Sequence, residues 1–344
     1  MTHPLFSAAV QPLLDFRVAR GLAVEPFLIQ DVYDTFSFGN LDPAAIRRFL
    51  KYAYNRWSPP APYYALLVGT GHYDYLNYLN TGRPNYLPPH LFSSAYMETA
   101  SDNWFACVAG DDIVPDLAIG RLCVRSAAET AAFVQKTIDY ENGTSGLPWQ
   151  GQIQMVADNA DSAGDFPYDS DVLIASSIPD PYAADKAYLP ILGLAATRTA
   201  IINAVNSGRL IVHYMGHGAN DRWASENIFS NSTLSSLSNP TRLPFMSTMT
   251  CMNGYWCDVS GTCLAETMTK AAGKGMIAAL SPSGFCLNNI SRLLSAFVLQ
   301  DMLVYGNKEV GSAISDAKSA LAGLGLFEEI ELYHLFGDPA LVLK

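Results

Sequence analysis

Residues 63–68 read YYALLV, an apolar run that predicts a β-strand. A strand that is apolar on both faces is typically covered by helices on both sides. Amphipathic helices are indeed predicted around it. One begins after Asp42-Pro43, where an N-cap residue precedes a proline at the first helical position, and another covers about residues 126–140. Because strands that alternate with helices form mainly parallel sheets, the sequence predicts the α/β class.

The rest of the chain continues this alternation of helices and strands. Further strands are predicted at residues 23–29, 117–124, 152–157, 209–214, 244–249 and 275–280. Further helices are predicted at 4–20, 169–177, 196–206, 261–271, 288–304 and 309–322, and residues 334–344 are predicted as a turn followed by a short strand. Residues 70–116 have no sustained period, and a loop of this length is usually functional. The Gly, Ser and Pro residues of 142–148 predict a boundary between two subdomains, 1–145 and 146–344.

Composition excludes several classes of protein. The chain has 344 residues, 49% hydrophobic and 15% charged, so it is not intrinsically disordered. Its net charge of −11 and the lack of a Lys/Arg-rich window argue against a nucleic-acid binder. No apolar run is long enough to span a membrane, and residues 1–20 lack the basic start and apolar stretch of a secretory signal. Nothing in the sequence indicates an oligomeric state.

Neither the cysteines nor the acidic residues predict a metal site. None of the six cysteines forms a CxxC pair, which argues against a zinc ribbon, and most of them are expected to be small buried hydrophobes. Four aspartates in the long loop could supply oxygen ligands for calcium, but their spacing is not that of an EF-hand. The favoured interpretation is a solvated acidic loop; these residues are Asp102, Asp111, Asp112 and Asp116.

Two predicted strand ends carry residues that could react with a substrate. The strand at 209–214 leads into His217, and the strand at 244–249 leads into Cys251, each beside glycines. In open α/β sheets ligands bind beyond the carboxyl ends of the strands. A thiol and an imidazole placed there could act as nucleophile and general base, with the backbone N–H groups of Gly218 and Cys251 receiving an oxyanion. The alternative is a core cysteine and a histidine held in a glycine turn.

Other interpretations of the motifs are weaker. His213 lies on the strand that leads into His217 and is expected to be a core or supporting histidine. Gly69-Thr70-Gly71 lacks the third glycine of a dinucleotide-binding fingerprint, and the chain contains no phosphate-binding loop, HExxH motif or GxSxG elbow.

Two of these segments resemble the motifs of gingipain-type cysteine peptidases, peptidase family C25. Residues 212–223 (VHYMGHGANDRW) are similar to the family's YxGHGxxxxW motif, and residues 243–255 (LPFMSTMTCMNGY) to the segment around its nucleophile. The resemblance extends over nearly the whole chain, through residues 65–69 (ALLVG), 101–105 (SDNWF), 116–121 (DLAIGR), 264–266 (LAE) and 336–339 (FGDP).

The resemblance implies a caspase–haemoglobinase-like fold and a cysteine endopeptidase that acts on polypeptides. It implies Cys251 as nucleophile, His217 as general base and acid, and the N–H groups of Gly218 and Cys251 as oxyanion donors. Asp158 is the closest match to the acid behind the histidine. A secreted or cell-surface location is expected. No cofactor is needed, although calcium is seen in some members. The rival hypothesis is a non-catalytic gingipain-like module of a secreted surface or secretion assembly, against which the presence of both Cys and His argues.

Three features depart from the family or leave alternatives open. The first strand of the family is missing ahead of the first helix, so we expect either a longer parent gene or an exposed sheet edge. The aromatic wall of the family's basic specificity pocket has no counterpart in residues 281–288. Asp169 matches the position of the carboxylate that binds a substrate Arg or Lys, but the alternative is that it only caps the following helix.

Overall fold

A computed structural model describes residues 1–344. The helices are α1 (Pro4–Ala19), α2 (Ile29–Phe36), α3 (Pro43–Arg56), α4 (Asn103–Ala106), α5 (Ala127–Asn142), α6 (Phe166–Ser177), α7 (Leu189–Leu192), α8 (Leu194–Ser207), α9 (Leu264–Lys270), α10 (Asn288–Leu303), α11 (Val310–Gly323) and α12 (Glu328–Leu332). The strands are β1 (Tyr64–Val68), β2 (His90–Ser93), β3 (Glu98–Ser101), β4 (Ala118–Leu122), β5 (Gln152–Ala157), β6 (Ala183–Tyr188), β7 (Ile211–Met215), β8 (Gly218–Ala219), β9 (Arg222–Trp223), β10 (Phe229–Ser230), β11 (Phe245–Met249), β12 (Ala278–Pro282) and β13 (Tyr333–Phe336).

Eight of the strands form one central sheet, in the order β1-β4-β13-β12-β11-β7-β5-β6. Every neighbouring pair is parallel except β12 and β13. The sheet therefore consists of two parallel blocks that run in opposite directions and meet at that pair. This confirms the predicted α/β class with a mainly parallel sheet flanked by helices.

The predicted division at residue 145 stays a prediction. The strands β1 and β4 come from the first segment and lie in one block, but β13, from the end of the chain, belongs to the same block.

The start of the chain lies along the outer edge of β1. Thr2 forms a parallel bridge to Val68, and the amino group of Met1 donates to the carbonyl oxygen of Leu66 at 2.9 Å.

The central strands are buried on both faces, as their apolar sequences require. All five residues of β7, β11 and β12 are buried. Two large clusters of apolar side chains cover the two faces of this half of the sheet, one built largely on α10 and α11 and the other on α8 and α9. Burial of this apolar area is the main stabilising contribution to the fold.

Several predicted elements need correction. Residues 23–28 form no strand, since Leu28 makes a single bridge to Thr2. The chain then enters α2, a helix that was not predicted. The edge strand β6 was also missed. At the end of the chain the order is reversed: the strand β13 comes first, and the turn follows it. The predicted strand at 275–280 begins three residues later, after Gly275, whose φ of 87° a strand does not allow.

The four aspartates of the long loop do not form one acidic patch. Asp102 is buried and makes an ion pair with Arg121 at 2.7 Å, so its interpretation as a solvated loop residue is wrong. Asp116 accepts hydrogen bonds from the N–H groups of Val108 and Ala109, both at 2.7 Å. The four carboxylates form no group that could hold a metal ion. None of the helices combines the length and the continuous apolar surface that a membrane span requires.

Candidate active site

The sheet brings the two predicted reactive residues together. The strands β7 and β11 are parallel neighbours, and Met215 pairs with Met249 at their carboxyl ends. His217 and Cys251 each lie two residues beyond these paired positions. The register therefore places the imidazole and the thiol at the same edge of the sheet, as the sequence predicts.

The acid that contacts the imidazole is Asp161. Its Oδ2 lies 2.7 Å from Nε2 of His217, and both side chains are nearly half exposed. Phe166 packs edge-on against the imidazole, with ring centroids 5.3 Å apart. The hydrogen bonds from the N–H of Ala163 and from His217 lower the pKa of Asp161, so this carboxylate stays charged and can orient the ring.

Asp158, which was predicted to support the histidine, contacts its main chain instead. It is buried, and its carboxylate accepts hydrogen bonds from the backbone N–H of Asn159 at 2.8 Å and of His217 at 3.2 Å. Burial raises its pKa. Gly216 permits this approach, because a Cβ atom there would lie 2.4 Å from Cβ of Asp158. Asp158 thus fixes the loop that carries His217, while Asp161 bonds to the ring.

Cys251 lies in a tight turn and is half-buried. The next residue, Met252, has a left-handed backbone with φ of 58°, which is uncommon for a side chain of this kind. The pKa of Cys251 is lowered to about 6, first by a hydrogen bond from the thiol of Cys286 and further by the Cys286 backbone and the charge of His217, against the opposing effect of burial. The thiolate, which is the nucleophilic form, is therefore favoured.

The two predicted oxyanion donors are neighbours. A Cβ atom on Gly218 would lie 3.0 Å from the carbonyl oxygen of Cys251 and 2.4 Å from Oγ1 of Thr250, so only glycine fits there. The N–H of Cys251 donates no hydrogen bond within the protein. The role of these two groups as an oxyanion site stays a prediction.

Asn253, which was not among the predicted site residues, joins the two loops of the site. Its side chain is fully buried, and its Nδ2 donates hydrogen bonds to the carbonyl oxygens of Ala219 and Arg222, the latter at 3.0 Å. These acceptors belong to the β8–β9 hairpin that follows His217. A buried amide that links the cysteine turn to the histidine hairpin holds both in one geometry. The signal in the sequence was an Asn two residues after the cysteine, within the quoted motif.

Asp169 is not a free carboxylate. Its Oδ2 accepts a hydrogen bond from Nδ2 of Asn288 at 2.7 Å, and its Oδ1 lies 3.3 Å from Nε of Arg292 on α10. The alternative that Asp169 caps α6 is wrong, because the cap is Asp165, which accepts from the N–H of Tyr168 at 3.1 Å. The role of Asp169 in substrate binding stays a prediction. Binding of a substrate cation by Asp169 would require Arg292 to give up this contact.

His213 belongs to the core. It is fully buried, its Nε2 lies 3.5 Å from Oγ of Ser295, and burial lowers its pKa to about 3. An imidazole in this position stays neutral and does not reach the surface. This supports the choice of His217 over His213 as the candidate base.

A mainly parallel sheet flanked by helices, with a thiol and an imidazole beyond two adjacent strands, agrees with the caspase-like fold that the family resemblance implies. The profile of peptidase family C25 matches residues 1–344, and the chain belongs to this family of cysteine peptidases.

Relatives and solved structures agree with this assignment. The chain is 24% identical to gingipain R2 and to gingipain R1 of Porphyromonas gingivalis, in both cases over 98% of its own length. It spans only 45% of the first and 33% of the second. The crystal structure of the Arg-specific cysteine proteinase gingipain R matches 99% of this chain and 77% of its own, with 23% identity and a TM-score of 0.81. The complex of the RgpB pro- and mature domains of Porphyromonas gingivalis matches 100% of this chain and 79% of its own, with 21% identity and a TM-score of 0.84. These structures confirm the fold.

Proposed function

We propose that the protein is a cysteine endopeptidase in which Cys251 attacks the scissile carbonyl and His217 transfers protons. The observation that carries the proposal is the parallel register of β7 and β11, which places Cys251 and His217 at the same edge of the sheet. The contrast among the six cysteines supports it. Cys251 is the one whose pKa is lowered, whereas burial raises the pKa of Cys107 and Cys257 to about 12. The pKa values of the other three cysteines are also raised well above the ordinary value; these are Cys123, Cys263 and Cys286.

The contacts of the imidazole suggest how the proton moves. A carboxylate can only accept a hydrogen bond, so Nε2 of His217 carries the hydrogen that faces Asp161. The lone pair of the neutral ring is then on Nδ1, which takes the proton of the Cys251 thiol. The thiolate adds to the carbonyl carbon of the peptide, and the N–H groups of Gly218 and Cys251 bind the oxyanion.

Breakdown of this adduct completes the proposed cycle. The protonated Nδ1 of His217 gives its proton to the leaving amine as the C–N bond breaks. A water molecule then attacks the acyl-enzyme, with His217 as base, and releases the second product. No cofactor takes part in these steps. A secreted or cell-surface location is part of the proposal and is supported by the family resemblance; a requirement for calcium has no support from the residues described above.

The test is labelling with a peptidyl thiol-reactive probe, together with peptide hydrolysis by matched variants. We expect the probe to modify Cys251, and the Cys251→Ala variant to fold normally and lose hydrolysis. His217→Ala should lose about 10²–10⁴-fold in turnover. Cys107→Ala, which removes a buried thiol, is the control and should keep the activity. Hydrolysis by Cys251→Ala, or a probe adduct on Cys107 or Cys286, would show that the nucleophile is wrong.

A further inference from the structure

A second cysteine lies against the candidate nucleophile. The Sγ of Cys251 is 3.9 Å from the carbonyl oxygen of Cys286, and the Sγ of Cys286 is 2.6 Å from the carbonyl oxygen of Thr250. The Cys286 thiol is also the first cause of the lowered pKa of Cys251. Both residues are partly exposed, whereas the other four cysteines are buried.

The backbone keeps the two thiols next to each other. The N–H of Met252 donates to the carbonyl oxygen of Gly284 at 2.9 Å, which joins the turn after Cys251 to the segment before Cys286. On its other side, the Sγ of Cys286 lies 3.5 Å from the hydroxyl of Tyr333, which itself donates to Ser291 at 2.9 Å. Main-chain and side-chain contacts therefore hold Cys286 at this position independently of any substrate.

We propose that Cys251 and Cys286 form a reversible redox pair: a peroxide oxidises Cys251, and Cys286 closes a disulfide onto it. The thiolate of Cys251 attacks one oxygen of hydrogen peroxide, the O–O bond breaks, and the released hydroxide takes a proton to become water. The sulfur of Cys286 then attacks the sulfenic sulfur of Cys251. The S–S bond forms, the S–O bond breaks, and the hydroxyl leaves as water with the proton of Cys286.

The balance is two thiols and one peroxide on one side, and one disulfide and two waters on the other. An external dithiol reverses it by reducing the S–S bond. Closure requires the two sulfur atoms, which the adjoining segments hold near each other, to approach to a bond length of about 2.05 Å.

The electrostatics favour this order of events. While Cys251 is a thiolate, its hydrogen bond and charge raise the pKa of Cys286 and keep that thiol protonated. Oxidation of Cys251 to the neutral sulfenic acid removes both influences, so Cys286 loses its proton more readily at the moment it is needed as a nucleophile. Without Cys286, the sulfenic acid would be oxidised further to the sulfinic acid, which thiols do not reverse.

The experiment treats the full-length chain with hydrogen peroxide, alkylates the remaining thiols and maps unreduced peptides by mass spectrometry. We expect one disulfide that links the peptides of Cys251 and Cys286, and recovery of alkylation at Cys251 after dithiothreitol. In Cys286→Ser, whose hydroxyl can still donate to Thr250, Cys251 should become sulfinic acid and should not be recovered. Cys107→Ser is the control and should behave as the unchanged chain.

Equal, irreversible oxidation of Cys251 in the unchanged chain and in Cys286→Ser would overturn the proposal, as would a disulfide to any other cysteine. If Cys286→Ser does not fold, the peptide map of the unchanged chain decides alone, since a disulfide between residues 251 and 286 is either present or absent. The readout is a peptide mass and needs no substrate. A chain that forms the disulfide without hydrolysing peptides would therefore refute only the proposed function.

Discussion

Replacement of Asn253 by alanine should uncouple the cysteine turn from the histidine hairpin. The buried amide donates two part-buried hydrogen bonds, to the carbonyl oxygens of Ala219 and Arg222. Because water can reach these part-buried acceptors, each lost bond costs roughly 0.5–1.5 kcal/mol, so the free energy of unfolding should fall by roughly 1–3 kcal/mol. Because the hairpin positions His217, a displacement of about 1 Å should also reduce turnover about 10²-fold.

Asn239 provides a matched control for this variant. It is equally buried, and its amide donates to the carbonyl oxygens of Arg242 at 3.2 Å and Gly275 at 2.8 Å, but it lies before the amino-terminal end of β11, opposite Cys251. Asn239→Ala should destabilise the protein by at least as much and keep its turnover per folded molecule.

The assays for this pair are urea unfolding and single-turnover peptide hydrolysis at a temperature where both variants are folded. Equal loss of turnover in Asn253→Ala and Asn239→Ala would refute the reasoning, because the effect would then follow stability alone. Unchanged stability of Asn253→Ala would refute the energetic argument.

Three further outcomes are expected. Asp161→Asn should lower kcat with little change in the urea midpoint, because Asp161 bonds to the imidazole. Asp158→Asn loses one of two acceptor oxygens and should lower the free energy of unfolding by about 1 kcal/mol. A stability loss in Asp161→Asn with a loss of kcat alone in Asp158→Asn would show that the two roles are reversed. In a positional-scanning peptide library, the unchanged chain should show no strong preference for Arg before the cut, because Arg292 occupies Asp169. The Arg292→Ala variant, which frees Asp169, should gain that preference. A strong preference for Arg in the unchanged chain would contradict this prediction. Alkylation of Cys251 should slow as the pH falls through about 6, because its pKa lies below the ordinary 9.0; a midpoint near 9 would exclude a stabilised thiolate.

The sequence predicts the buried central strands well, because a continuous apolar run directly indicates a strand that is covered on both faces. The strand β5 was predicted with its actual bounds, and β1, β4, β7 and β11 to within one or two residues at each end. The edge strand β6 (AADKAY) was missed because its middle residues, Asp185 and Lys186, are polar and exposed. An edge strand has one open side and little apolar surface, so its sequence resembles that of a loop.

The residues of the candidate site that follow from main-chain register were predicted, whereas the contacts that depend on side-chain pairing were not. His217 and Cys251 follow from strand ends, which the sequence marks with glycines. The choice between Asp158 and Asp161 depends on the shape of a loop whose several carboxylates look alike in sequence. The contact of Arg292 with Asp169 and that of Cys286 with Cys251 join segments far apart in the chain, and a single sequence carries no signal for either.

The position of β13 has a consequence for how the chain is made. This strand is synthesised last of the eight, yet it lies between β4 and β12, where Phe336 pairs with Arg121. On the ribosome, β4 therefore keeps an open edge until residues 333–336 have emerged, and the two parallel blocks of the sheet remain separate. Contacts between residues so distant in sequence form slowly, and an unpaired strand edge invites association with other chains. Nascent chains that stop short of residue 333 should consequently depend on chaperones, whereas those that pass it can close the sheet in one final step.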